Sequence, residues 1–236
     1  MIRQTNHHPS ENLLKDFSEG RLSTGMSVAI SAHLHYCDNC RKASESYERE
    51  LASQWLSSEP AANSPEFLPS SDILDQITRQ PQVVSIRQAA GEVNSSVELH
   101  MHERSVKLPR VLAKVAGDGI VWKKLAGGIN TANLTLDRDA QCDFMYMKPG
   151  SQAPRHTHRG LEVTLVLDGT FEDELGEYQP GDFVLRKSSQ THTPRSDEGC
   201  LCYSVLDEPL LFTSGWSRLL NPFQKFLFNR QLRDNL

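Results

Sequence analysis

A short run, HLHYCDNC, combines imidazole and thiol groups at a spacing that suits a metal ion. His33 and Cys37 are four residues apart, so on a helix they lie on one face, one turn from each other. Cys40 follows three residues later, where a turn can bring its thiolate beside that of Cys37. Because Zn²⁺ accepts imidazole and thiolate ligands together in a tetrahedron, the pattern predicts three ligands of a structural zinc site.

A closed tetrahedral site needs a fourth ligand, and the sequence offers His7 and His8 just before the first predicted helix. A C-x2-C pair could instead form a redox dithiol, but no βαβ pattern surrounds this one. The helical unit is small and has little core of its own, so a closed metal site would stabilise its fold directly. His35 is predicted to be an ordinary solvated helix residue.

A second group of potential ligands lies in GSQAPRHTHRGLEVTLVLDG, which has the pattern G-x5-H-x-H-x3-E-x6-G. His156 and His158 are two residues apart, so on a strand both point to the same face. Glu162 can join them from the same hairpin, and the later run YQPGDFVLRKSSQTHTP supplies His192. Three imidazoles and one carboxylate inside a barrel would form a divalent-metal site with room for water or substrate.

Zinc is the favoured ion for this second site, with Mn²⁺ and Fe²⁺ as alternatives, because three His and one Glu suit all three ions. The competing interpretation is a barrel whose histidines are ordinary core or surface groups. His100 and His102 also share a strand face, but no carboxylate lies in register with them. That pair is therefore predicted to belong to an ordinary strand.

The chain has five cysteines, an odd number without the spacing of a disulfide framework. Metal ligation or redox chemistry fits them better than structural bridges do. Cys200 and Cys202 would lie on one face of a strand and are predicted to be core residues. The alternative is an oxidant-sensitive thiol pair near the metal. Cys142 carries no signal of its own.

Helical patterns fill the N-terminal part, and a segment rich in Ser, Pro and Ala at about residues 57–71 predicts a mobile linker. Ser10 and Asp38 are suitable N-caps, and Gly20 is a suitable stop signal. The predicted helices run from Ser10 to Gly20, from about Thr24 to His35, from Asp38 through Trp55, and over residues 72–79.

Beyond about residue 95 the pattern changes to short strands separated by Gly, Pro and Asp, which is typical of a β-sandwich or small barrel. In VELHMHERSV, three apolar side chains alternate onto one face. The C-terminal tail is amphipathic and is predicted in part to be a helix. Further strand candidates are IVWKKL, ANLTLDR, CDFMYMK, LEVTLVLDG, FEDELGEY, DFVLRK and LCYSVLD.

The charge balance argues against a nucleic-acid binder. Residues 1–90 carry 8 basic and 11 acidic side chains, the remainder carries 17 and 19, and the formal net charge is −5. No apolar run approaches the ~18 residues of a membrane helix, and the N-terminus has no apolar signal segment. We expect a cytoplasmic protein that contacts neither nucleic acid nor a membrane directly.

Both ligand patterns resemble known families. HH at residues 7–8, then SENLL and H-x3-C-x2-C, resembles zinc-binding anti-sigma factors, and the second pattern resembles the two motifs of the cupin superfamily. Pro180, Gly181 and Asp182 fit the second cupin motif, whereas Ser189 stands where that motif has Gly. By position, the resemblance implies zinc ligands His8, His33, Cys37 and Cys40, and cupin ligands His156, His158, Glu162 and His192.

Together the two patterns resemble ChrR-type anti-sigma factors over nearly the whole chain. The resemblance implies an α + β protein of two domains, a small all-α zinc-binding helical domain followed by an all-β cupin barrel, or double-stranded β-helix. The implied limits are 1–85 for the helical domain, with a clamp helix at about 72–79, 95–215 for the cupin domain, and 216–236 for the tail.

The implied function is regulation of transcription, not catalysis. Such proteins bind an extracytoplasmic-function, RpoE-like sigma factor and block its access to core RNA polymerase. They release it under singlet oxygen or related oxidative stress. The helical domain would bind the sigma factor in a 1:1 complex, and the cupin domain would carry the response.

Two other function classes remain open at the level of sequence. One is a cupin metalloenzyme of the dioxygenase or isomerase type, with an N-terminal zinc docking module, because the cupin fold hosts enzymes and non-enzymes alike. Turnover of a specific substrate would support it. The other is a zinc-containing DNA-binding regulator, which the acidic N-terminal part disfavours and which would need salt-dependent DNA binding.

Overall fold

The computed structural model describes residues 5–57, 71–80, 98–101, 104–117 and 119–213, together with residues 218, 219, 221 and 228. Nearly all of the predicted linker and most of the predicted tail therefore lie outside the described residues. The α-helices are α1 Glu11–Ser18, α2 Thr24–Tyr36, α3 Asp38–Ser57, α4 Ser71–Arg79 and α5 Arg110–Ala116.

The helix ends follow the capping residues of the sequence. The side chain of Ser10 accepts a hydrogen bond from the Leu13 N–H, and that of Ser23 accepts one from the Met26 N–H. Each bond satisfies a backbone donor that the first turn leaves open, so α1 and α2 begin where the sequence predicts. The prediction of Asp38 as an N-cap is wrong, because Asp38 is the first residue inside α3 and Cys37 precedes it. The predictions of α1 to α4 are confirmed to within a few residues. Helix α5 was not predicted.

The β-rich part begins after α4 and contains short strands. They are β1 Glu98–Met101, β2 Arg104–Lys107, β3 Lys123–Lys124, β4 Ile129–Leu134, β5 Gln141–Met147, β6 Ser151–Gln152, β7 His156–Thr157, β8 Glu162–Gly169, β9 Phe171–Asp173, β10 Gly176–Tyr178, β11 Phe183–Arg186, β12 Thr191–His192, β13 Arg195–Ser196, β14 Cys200–Leu206 and β15 Leu211–Phe212.

The largest sheet has six antiparallel strands in the order β11-β8-β14-β5-β4-β3. Smaller sheets have the orders β10-β9-β13-β6, β12-β7-β15 and β1-β2. The described strands thus form separate hydrogen-bonded sheets and not one continuous ring. The predicted sequence of a helical part followed by a β-rich part is confirmed.

Both faces of the six-stranded sheet are buried, which explains why its central strands are almost continuously apolar. On one face, Phe144, Leu165 and Tyr203 share a core with residues of α1, α2 and α5. On the other face, Val166 and Cys202 pack in a second core with residues of β9 and β10. Alternate side chains of the same strands therefore serve two different cores.

Two stretches predicted as single strands are hairpins. In VELHMHERSV, β1 and β2 pair with each other, and Leu99 lies opposite Val106. In FEDELGEY, the chain reverses between β9 and β10, where the Asp173 side chain accepts a hydrogen bond from the Leu175 N–H over 2.9 Å. An Asp side chain that binds the backbone two residues later stabilises a turn, and Gly176 accommodates a φ of 156° just after it.

Among the described residues, no helix is both long enough and apolar enough to span a bilayer.

Candidate metal centres

Four side chains from three neighbouring segments meet in the first cluster. His33 lies in the last turn of α2, Cys37 follows as its C-cap, and Cys40 lies in the first turn of α3. His8 comes from the segment just before α1. The Cys37 N–H donates to the His33 carbonyl over 3.0 Å, so the end of α2 sets the predicted one-turn spacing. His7 lies outside this cluster.

The potential ligand atoms of the first cluster all lie within 4.8 Å of one another. His8 Nδ1 is 3.4 Å from the Sγ atom of Cys37 and 3.4 Å from that of Cys40. Ligands held about 2.0–2.3 Å from one zinc ion in a tetrahedron lie roughly 3.5 Å apart. The cluster therefore has the dimensions and the donor set of a tetrahedral zinc site.

Hydrogen bonding leaves one ring nitrogen of His33 for the cluster. Nδ1 lies 2.7 Å from the carbonyl oxygen of Gly181, whereas the buried Nε2 has no hydrogen-bond partner among the described residues. Burial lowers the pKa of His33 to about 4, which favours the neutral imidazole that binds metals. Burial also raises the pKa of Cys40 to about 12. A buried nitrogen without a partner, beside two thiols, fits a bound cation.

The second cluster forms where two short strands of the β-rich part pair. His156 in β7 and His192 in β12 are direct partners in an antiparallel pair. His158 follows His156 by two residues, and Glu162 begins β8. All four side chains are buried, and their potential ligand atoms lie within 4.8 Å of one another. The structure brings together the four residues that the sequence singles out.

The potential ligand atoms of the second cluster lie at hydrogen-bonding distances from one another. His158 Nε2 lies 3.0 Å from His192 Nε2 and 2.9 Å from Oε2 of Glu162. Burial opposes ionisation of Glu162, but its hydrogen bond with His158 and its electrostatic interactions with the surrounding imidazoles lower its pKa to about 2. Burial lowers the pKa of His156 to about 4. An ionised carboxylate among buried imidazoles is a donor set that a divalent cation neutralises.

The outer hydrogen-bond partners of the second cluster are not predicted by the sequence patterns. His156 Nδ1 lies 2.8 Å from the Pro154 carbonyl oxygen, and His192 Nδ1 lies 3.0 Å from Oδ2 of Asp173. Each partner engages one ring nitrogen and leaves Nε2 for the cluster. Asp173 belongs to the β9–β10 hairpin, and nothing in its spacing marks it as a partner of His192.

The other described His and Cys residues considered in the sequence belong to neither cluster, although Cys202 lies close enough to Glu162 of the second cluster for the Glu162 charge to raise its pKa. His35 and His100 are exposed, as expected of a solvated helix residue and an ordinary strand residue, and His102 lies outside the described residues. Cys200 and Cys202 are buried in β14 with their Sγ atoms 4.0 Å apart. Their hydrogen bond and burial raise the pKa of Cys202 well above its ordinary value. Both thiols occupy the predicted core positions.

Fold and clusters together define a class of protein, a cupin-like β-protein with a helical N-terminal part that carries a His/Cys cluster. A family model described as a ChrR Cupin-like domain matches residues 113–208, which confirms the predicted cupin-like fold. The chain is 31% identical to the anti-sigma-E factor ChrR of Cereibacter sphaeroides over 222 residues, which is 92% of this chain and 97% of that protein.

A solved structure extends the similarity to three dimensions. The crystal structure of Rhodobacter sphaeroides SigE in complex with the anti-sigma ChrR matches with a TM-score of 0.67 and 27% identity, over 86% of this chain and 100% of the matched chain. Both relatives are anti-sigma factors and not enzymes, in agreement with the prediction for this chain. The chain therefore belongs to the ChrR family of anti-sigma factors.

Proposed function

We propose that this chain is an anti-sigma factor that binds an extracytoplasmic-function sigma factor in a 1:1 complex and blocks its access to core RNA polymerase. The observation that carries the proposal is the match over 86% of this chain to the structure of ChrR with SigE. The chain would thereby regulate transcription through a protein partner, without contacting DNA or a membrane. It would act in the cytoplasm, where core polymerase operates.

Exposed apolar side chains on two helices supply a surface for the sigma factor. Trp55 and Leu56 at the end of α3 are 73% and 89% exposed, and Ile73 and Ile77 on α4 are 48% and 61% exposed. Helices that lay apolar side chains into a groove are a common mode of protein recognition. The linker at residues 57–71 would give α4 the reach to clamp a second face of the same sigma factor.

Zinc is the proposed ion of the first cluster, because two thiols and two imidazoles at these distances suit it. It would tie α2, α3 and the segment before α1 together. The second cluster would hold a divalent cation, zinc by preference, with Mn²⁺ and Fe²⁺ as alternatives. The proposed ligands are His8, His33, Cys37 and Cys40 in the first site, and His156, His158, Glu162 and His192 in the second.

We assign binding of the sigma factor to residues 1–85 and the response to a signal to residues 95–215. The proposed signal is singlet oxygen or a related oxidant, which would act on the second site and release the sigma factor. The buried, electron-rich donor set of that site supports this assignment. The predicted tail at 216–236 lies almost entirely outside the described residues.

A capture experiment tests the proposed function. Full-length protein, loaded with zinc, would be used to capture proteins from the source cell, with His33→Ala as the test variant and His35→Ala as the matched control. His35 is exposed and lies outside the cluster, two residues from His33. We expect the wild type and His35→Ala to capture one sigma factor, and His33→Ala to lose it.

The captured sigma factor would then be purified and tested for inhibition in a transcription assay with core polymerase. Failure of the folded, zinc-loaded wild type to bind any sigma factor of the source cell would contradict the proposal. Capture that Trp55→Ala leaves unchanged would contradict the proposed contact surface at the end of α3.

A further inference from the structure

A turn of the β-rich part lies directly against the first cluster. This turn, residues 180–182, connects β10 to β11, and its Gly181 carbonyl oxygen lies 2.7 Å from His33 Nδ1. A backbone carbonyl can only accept, so Nδ1 carries the proton and donates it. The tautomer of His33 is thereby fixed with Nε2 free for a metal ion.

The Asp182 carboxylate binds the backbone of the two residues that precede His8, the fourth residue of the first cluster. It is fully buried, and its Oδ1 accepts hydrogen bonds from the backbone N–H groups of Asn6 and His7 at 2.7 and 3.0 Å. Its Oδ2 accepts a third from the Gln179 N–H at 3.0 Å. Asn6 and His7 immediately precede His8, so this carboxylate fixes the approach of the fourth residue of the cluster.

The N-terminal segment also covers one edge of the six-stranded sheet. β11 is the strand at that edge, and the Phe183 N–H donates to the His7 carbonyl over 3.0 Å. Gly181 has φ of 96°, and a Cβ atom added there would lie 2.5 Å from Thr5 Cγ2 and 2.7 Å from Tyr36 Cβ. The turn, the segment and α2 therefore fit together only around a glycine.

The 180–182 turn is firmly attached to the sheet. The Gly181 N–H donates to the Val166 carbonyl over 2.8 Å, and the Val166 N–H donates to the Asp182 carbonyl over 3.1 Å. Val166 belongs to β8, which also carries Glu162 of the second cluster. The groups that orient His33 and the segment before His8 thus belong to a turn bonded to the sheet and not to the helices.

We infer that the 180–182 turn is the outer hydrogen-bonding layer of the first cluster, so that the affinity of this cluster for zinc depends on the cupin-like sheet. Gly181 and Asp182 act as positioning residues, since neither offers an atom to the ion. Reciprocally, bound zinc fastens residues 5–8 to the edge of β11, because linked equilibria stabilise each other equally. The inference rests on the proposed zinc site but not on binding of a sigma factor.

The test measures the affinity for zinc of purified full-length protein, without a sigma factor, by competition with a chromophoric chelator. Asp182→Asn keeps the size of the side chain but replaces one accepting carboxylate oxygen by an NH2 group, so the side chain can no longer accept from the N–H groups on both of its sides. Asp143→Asn is the matched control, because Asp143 is also buried, lies in β5 of the same sheet and bonds Asn133. Gly181→Ala is a second, independent change in the turn.

We expect Asp182→Asn and Gly181→Ala to bind zinc at the first cluster about 10- to 100-fold more weakly than the wild type, as outer partners of metal ligands do. Asp143→Asn should keep wild-type affinity. In the wild type, removal of this zinc should speed hydrogen exchange at the Phe183 amide. The Ala153 amide, which donates to the Pro194 carbonyl over 2.8 Å, should keep its exchange rate.

The outcomes separate this inference from the proposed function. Wild-type affinity in a folded Asp182→Asn protein, or an unchanged Phe183 amide on removal of zinc, would overturn the inference. A wild-type protein that binds no zinc at the first cluster would overturn the proposed zinc site and the inference together. If Gly181→Ala does not fold, the zinc affinity of Asp182→Asn and the exchange rate of the Phe183 amide are sufficient to test the inference.

Discussion

At the scale of single residues, three histidines of the two clusters use one ring nitrogen for an outer hydrogen bond and leave the other for the cluster. His156 uses Nδ1 for the Pro154 carbonyl, and His192 uses Nδ1 for the Asp173 carboxylate. His33 uses Nδ1 for a backbone carbonyl in the same way. Such partners set the tautomer and the ring orientation, and they raise the basicity of the nitrogen that is left.

Asp173 is the most heavily bonded of these partners. Its Oδ2 also accepts from the Arg186 guanidinium at 2.6 Å, and its Oδ1 accepts from the Leu175 N–H and the Tyr178 hydroxyl. Burial opposes its ionisation, but the bonds from His192 and Leu175 and the charge of Arg186 hold its pKa well below the usual range. The carboxylate that orients His192 is therefore ionised throughout the neutral range.

Replacing Asp173 by Asn is expected to weaken metal binding at the second cluster by about 10-fold or more, because a neutral amide orients His192 less strongly. The measurement is the affinity of the full-length protein for Zn²⁺, by chelator competition. Glu172→Gln is the matched control, since the neighbouring Glu172 pairs with Arg195 at the surface. Equal losses in both variants would contradict a specific role for Asp173.

At the scale of elements, α2 joins the helical part to the sheet at both of its ends. At its start, the Tyr203 hydroxyl donates to the Gly25 carbonyl over 3.1 Å. A Cβ atom on Gly25 would lie 2.5 Å from Cys142 Sγ, so only glycine allows this close approach. At its other end, His33 contacts Gly181. α2 is therefore attached to the β-rich part at both of its ends.

The loop between β4 and β5 caps α2 through Asp137. Its carboxylate accepts from the Gly25 N–H over 3.1 Å, in the first turn of α2, where the helix dipole favours a negative charge. Burial opposes ionisation, but hydrogen bonds from Gly25, Ser23 and Asp139 lower the pKa of Asp137. A lowered pKa in the folded state means that this carboxylate stabilises the fold above its unfolded pKa.

Asp137→Asn is expected to lower the free energy of unfolding by about 1 kcal/mol at neutral pH. Because the folded pKa is lowered, the difference from the wild type should shrink as pH falls below 3.8, the ordinary value for Asp. Urea unfolding across this range measures it. Asp139→Asn, at an exposed side chain in the same loop, is the control. A difference that stays constant down to complete protonation would contradict the assignment.

At the scale of the whole molecule, one short strand connects the surroundings of both clusters. β11 starts at Phe183, beside the 180–182 turn and the first cluster. It ends at Arg186, whose guanidinium binds Asp173, the partner of His192 in the second cluster. A displacement of this strand would therefore alter hydrogen-bond partners of both clusters.

The proposed division of labour makes a prediction for the complete protein. His156→Ala combined with His158→Ala should keep the affinity for the sigma factor, because the exposed surfaces of α3 and α4 are unchanged. It should abolish release of the sigma factor by singlet oxygen, since the second site loses two of its four proposed ligands. Both properties would be followed with a reporter gene and a binding assay.

The control for this prediction is the double variant His35→Ala and His100→Ala, which removes two exposed imidazoles outside both clusters. It should bind and respond as the wild type does. An unaltered oxidant response in the His156→Ala, His158→Ala protein would contradict a sensing role for the second cluster.

Local patterns in the sequence predict the helices well but some strands poorly. The predicted cap Ser10 bonds a backbone N–H only three residues away, so the sequence contains the whole interaction. The hairpin at Asp173 is not predicted because each of its two strands has only three residues, too few to show a period of their own. Helix α5 was missed because it is short and begins without a side-chain cap.

The sequence by itself determines which residues can form each cluster. Residues three or four apart on a helix, and two apart on a strand, share a face. The sequence therefore predicts that His33 lies near Cys37 and that His156 lies near His158. The sequence does not determine that α2 packs on the sheet, nor that residues 180–182 contact the first cluster. Those contacts join segments more than a hundred residues apart, and such contacts leave no periodic trace in the chain. They depend on how the two faces of the sheet are buried, which only the tertiary structure decides.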